Sequence, residues 1–62
     1  MAGPRFAINQ RVCEKFPQAL EIAGVIVQIY QFDGSYRYVV ECDNGQQHVL
    51  FEFELTPIGT PP

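Results

Sequence analysis

The sequence predicts an all-β fold, a single five-stranded small barrel with one short 3₁₀ turn. Three observations carry that expectation. Runs rich in β-branched and aromatic residues occupy positions 6–12, 22–32 and 36–42. Asp33-Gly34 and Asn44-Gly45 are turn pairs of the kind that close tight hairpins. No stretch repeats its apolar residues at helical spacing for long enough to build a substantial helix.

Taken in order, residues 1–5 have no periodic pattern and are expected to fray, leaving a domain over 6–58 and a loose tail over 59–62. In 6–12 the apolar residues Phe6, Ile8 and Val12 fall on one face of an extended strand, with Ala7, Asn9 and Arg11 facing outward. Residues 16–21 read as a long loop. Pro17 removes a ladder donor there and leaves room for one helical turn. Residues 22–32 form the longest strand, and Gly24 near its start marks a bend or a close backbone approach. Gly34 supplies the positive φ that a two-residue turn demands. In 36–42 the even positions share a face. Asp43-Asn44-Gly45 begins a second hairpin into a strand over 46–51. Glu52-Phe53-Glu54 is short enough to be a single 3₁₀ turn, and 55–58 closes the barrel against the first strand.

The chain has 62 residues, and a domain of that size buries only about 60% of its unfolded surface. Two cysteines, Cys13 and Cys42, are too few for a disulfide scaffold, so oligomerisation is the stabilising device expected. No leader and no apolar span of membrane length is visible, and a cytoplasmic location with reduced thiols is expected. Seven acidic residues oppose four basic ones, Arg5, Arg11, Lys15 and Arg37, for a net charge of −3. The basic residues form no stripe able to neutralise several phosphates, which disfavours nucleic acid as a partner.

The succession of Arg11-Val12, a long loop, Gly24 with Ile26 and Ile29, two glycine hairpins and Glu54-Leu55 resembles the SH3-like small barrels, the group that includes Tudor and KOW domains. The resemblance covers residues 6–58, and it implies a fold more than an activity. Phe6, Arg11-Val12, Lys15, Gly24, Ile26-Val27, Tyr30, Tyr38, Val40-Glu41 and Leu55 also resemble positions of the type II dihydrofolate reductases. That family is a homotetramer which binds folate and NADPH in a central pore. The resemblance implies a pore or interface strand made of Gln47, His48, Val49, Leu50 and Phe51. The pattern departs at the chemistry positions. Val49 and Phe51 stand where that family has Gln and Tyr, and Glu14 stands where it has a ligand-attracting Lys. Val27-Gln28-Ile29-Tyr30 repeats the letters of the family's signature in an earlier strand.

The remaining candidates are weighed one by one. His48 titrates near neutrality but has no ligand-spaced companion, and reads as an ordinary strand histidine. Cys13 and Cys42 lie in strands among apolar neighbours, so neither a Cys-His nucleophile nor a zinc site is expected within one chain. Glu52 and Glu54 read as solvated turn charges. Tyr30, Phe32, Tyr36 and Tyr38 flank the Asp33-Gly34 hairpin. There they could form a cation-binding cage with Asp33, or instead fill the barrel and a subunit interface. The expected function is therefore a homo-oligomeric binding or interaction module, of a bacterial or mobile-element kind. It has no catalytic residues, metal or cofactor, and its partner is itself, another protein or a small ligand. The alternative is an NADPH-dependent reductase acting in a tetramer pore.

Overall fold

A computed structural model describes residues 3–15 and 22–58. It is all-β, with strands β1 (Arg11–Glu14), β2 (Ala23–Phe32), β3 (Ser35–Cys42), β4 (Gln47–Phe51) and β5 (Leu55–Pro57), and a 3₁₀ turn, η1 (Glu52–Glu54), between β4 and β5. All pairings are antiparallel, and the strands lie in one sheet in the order β4-β3-β2-β1-β5. β4 and β5 thus stand at its two ends. The loop expected over residues 16–21 and the tail over 59–62 lie outside the described residues.

The first strand is shorter and later than its alternation suggests. The amide of Gln10 donates to the carbonyl of Ala7 (3.1 Å), and the Gln10 side-chain oxygen accepts from the Ala7 amide (2.9 Å), making a turn of 7–10. Asn9 sits in the left-handed region at φ 75°, a conformation its short polar side chain tolerates and an extended strand cannot include. Extended pairing therefore begins only at Arg11. Ile8, expected to face inward, stands at the turn with 49% of its surface exposed, while Phe6 and Val12 are buried. Arg5, expected to fray, has its amide hydrogen-bonded to the Tyr38 hydroxyl (3.1 Å) and to Glu52 (3.0 Å).

The hairpins follow their turn chemistry. Phe32 opposes Ser35 across Asp33-Gly34, whose φ values of 55° and 80° are those of a type I′ turn matched to the strand twist. At the second hairpin Gly45 adopts φ 91°, and the Asn44 side chain accepts from the Gln46 amide at 3.0 Å. Gly24 marks a close approach: a Cβ there would collide with the Glu41 carbonyl oxygen and come within 2.7 Å of the Cys42 Cα. That absence of a side chain lets β2 lie tight against β3 where β1 pairs with its other edge. Between Ile26 and Gln28 the register shifts, with Val27 as the extra residue of a bulge.

The core is built from alternate residues. Val12, Ile26, Tyr38 and Val40 are fully buried, joined by Phe6, Cys42, Leu50 and Leu55. Each such aliphatic or aromatic side chain contributes about 1.5–3 kcal/mol by leaving water. Phe6 meets Tyr38 edge-on, with centroids 5.4 Å apart and planes at 80°. Lys15 donates its amide to the Glu54 carbonyl (2.7 Å), and this bond holds η1 beside β1.

Candidate functional site

Period-two alternation divides the hairpin aromatics between two sides of the sheet. Opposed residues of an antiparallel pair project to the same face. Tyr38 pairs with Ile29 and Leu50, so it points to the core. Tyr30 pairs with Arg37, and Arg37 with Phe51, so these three share the outer face. Phe32, opposite Ser35, belongs to the outer face too, and Tyr36, opposite Gln31, to the inner one. The four rings of the expected cage therefore do not converge. Asp33 is exposed at the hairpin corner.

The structure instead brings together a different set. An open cleft of about 350 Å³ is lined by Gly34, Ser35 and Tyr36 from the β2–β3 hairpin and by Phe51, Glu52 and Phe53 from the end of β4 and η1. Its size falls at the small end of ligand sites. Phe51 and Phe53 are stacked, with centroids 5.5 Å apart and planes at 11°. Phe53 remains 67% exposed and so keeps one ring face open.

Glu52 supplies the charge of the cleft, and its state is set from beneath. The Tyr38 hydroxyl donates to Glu52 Oε2 at 2.6 Å, and the Arg5 amide donates to the same oxygen. These two donors, the hydroxyl first, hold the Glu52 carboxyl below its ordinary range, because both bonds favour the ionised form. Burial, and then the bond to Glu52, push the Tyr38 hydroxyl up from its usual value. Glu54 acts structurally, since its Oε1 accepts from the Phe51 amide (2.8 Å) and fixes the start of η1.

Arg37 lies beside the cleft, on the outer face. Its guanidinium carbon is 4.2 Å from the Phe51 centroid and 5.1 Å from that of Phe32, a cation held between two rings. Its Nε is buried without a hydrogen-bond partner.

The other predicted residues are dispersed. In β4, Leu50 is buried, His48 and Phe51 are half-buried, and Gln47 and Val49 are exposed. Glu14 is half-buried in β1 with Oε1 lacking a hydrogen-bond partner. Cys42 is buried, and burial, then the neighbouring Asp43 carboxylate, raise its thiol above the usual value. Cys13 is half-buried and lies one register row from Val12, hence on the opposite sheet face from Cys42. Among the described residues, no three of His, Cys, Asp and Glu gather as a metal site would require, and no helix is long and apolar enough to cross a membrane.

Sequence reading missed Phe53 and the role of Glu52. The available signal was an isolated Phe between two Glu in a turn, where nothing in the local pattern calls for an aromatic ring. Comparison with protein-family models, curated proteins and solved structures finds no match to this chain.

Proposed function

We propose that the chain is a small binding module, an SH3-like barrel whose working site is the cleft between the β2–β3 hairpin and η1. Its ligand class is an organic cation: a quaternary or methylated ammonium, or a guanidinium. The observation that carries this reading is the meeting of Tyr36, Phe51 and Phe53 with the Glu52 carboxylate in one cleft of about 350 Å³. The open face of Phe53 attracts a cation through its quadrupole, Phe51 backs that ring, and the nearby carboxylate adds charge complementarity. A carboxyl held ionised suits recognition better than proton transfer, because a general acid or base works best with a pKa near the operating pH. This proposed site differs from the cage expected from sequence, with which it shares only Tyr36.

The test is a titration of the ¹⁵N-labelled chain with a trimethyl-lysine peptide and with its unmodified counterpart. Saturable shifts confined to residues 34–36 and 51–53, and weaker for the unmodified peptide, are expected. No saturable shift at millimolar peptide would discard the reading. Saturable binding of NADPH in the same assay would favour a reductase instead.

A further inference from the structure

The outer face of the β2–β3–β4 meander bears a pattern of which the cleft uses only Phe51. Its central row is Gln28–Val39–Val49. On one side lies the row Tyr30–Arg37–Phe51, and on the other Val25–Glu41–Gln47. Val49 is 52% exposed and Tyr30 is also exposed, so apolar surface is left open to water on this face. Arg37 and Glu41 lie on the same strand, two residues either side of Val39. Neither forms an ion pair among the described residues, where the salt bridge is Arg11–Asp43.

From this arrangement we infer that the outer face is a self-complementary dimer interface, whose occupant is a second copy of this chain related by a two-fold axis that runs along the central row and passes over Val39. Laying the second copy's β3 antiparallel over the first places each outer row over its opposite. Arg37 of each copy then meets Glu41 of the other, Tyr30 covers Val25, and Phe51 covers Gln47. Gln28, Val39 and Val49 meet their own equivalents on the axis. An isologous interface demands this kind of i-to-j matching, and the face provides it in charge at Arg37–Glu41 and in apolar surface at Tyr30–Val25. A generic acidic partner would explain Arg37 but not a carboxylate at the symmetric position. The phenyl rings beside Arg37 also restrict its charge before the encounter, which lowers the ordering cost of pairing.

The deciding experiment is the sedimentation mass of the full chain across a concentration series from about 10 µM to 1 mM, since dimerisation follows mass action. A concentration-dependent dimer is expected. Val49→Asp, at an exposed position that leaves the fold intact by circular dichroism, should give a monomer. Glu41→Arg should weaken dimerisation at least about tenfold by facing Arg37 with a like charge. Exchanging the charges in Arg37→Glu/Glu41→Arg should restore the affinity to within a few-fold of the parent. A monomer throughout the series, a dimer indifferent to Val49→Asp, or an exchange variant no better than Glu41→Arg would each overturn the inference. Should the exchange variant fail to fold, Glu41→Arg and salt decide. Rising salt must weaken the parent dimer, and indifference to both overturns the assignment.

Discussion

The hydroxyl of Tyr38, on a ring with no exposed surface, donates at 2.6 Å to Glu52, which lines the open cleft. One bond therefore links the centre of the core to the charge of the candidate site. Tyr38→Phe keeps the ring packing and removes that donor. It is expected to lower stability by about 1.5–3 kcal/mol, the range for hydrogen bonds to charged groups, as measured by urea denaturation. Tyr38→Phe that matches the parent in stability would show the bond to be energetically idle.

The same bond sets two pH limits. Glu52 has a depressed folded-state pKa, so its contribution is present above the unfolded carboxyl's pKa and is lost as pH falls through the folded value. Tyr38 has a raised one, so its contribution is present below its ordinary value of 10.0 and is lost as pH rises through the folded value. Melting temperature should therefore decline at both extremes. In Tyr38→Phe the acid decline should shrink, and the part of the alkaline decline due to this phenol should vanish.

Two glycines should fail for different reasons. Gly24→Ala drives a methyl group into the β3 backbone at Glu41 and Cys42, and is expected to cost about 3 kcal/mol or more. Gly34→Ala meets nothing within 4 Å, yet φ is +80°, so its cost of about 1–2 kcal/mol is purely conformational. Thermal melts of the two variants should rank them in that order. The reverse order would mean that the sheet relaxes at Gly24.

Buried Cys42, its thiol raised by burial, should react slowly with a disulfide reagent at neutral pH. In a Cys13→Ser background the reaction should accelerate to the rate of a free thiol once urea unfolds the chain. Fast reaction under native conditions would place Cys42 outside the core.

Phe53→Ala should separate binding from folding. The ring is 67% exposed, so its loss is expected to change stability by less than about 0.5 kcal/mol, as is usual for surface substitutions. Cation affinity should drop severalfold in the same variant, because the ring's open face is lost. An unchanged affinity by calorimetry would remove Phe53 from the site.

The sequence by itself determined the all-β class, the two tight hairpins, the 3₁₀ turn at 52–54, a bend or close approach at Gly24 and the shared face of Tyr36, Tyr38, Val40 and Cys42. Each rests on local chemistry: a glycine able to adopt positive φ, a side chain that had to be absent, or strict alternation along one strand. Two things were decided only in three dimensions. Asn9 ended the apparent alternation from Phe6 to Val12, because its turn is held by a residue distant in the chain: the Asn9 amide donates to the Ile26 carbonyl, and the Ile26 amide donates to the Gln10 carbonyl. The site likewise depends on register. Pairing Arg37 with both Tyr30 and Phe51 sends Tyr30 to the outer face, while η1 folds back to set Phe53 and Glu52 beside Tyr36. Local pattern specifies which residues alternate, but only cross-strand pairing decides which alternating sets meet.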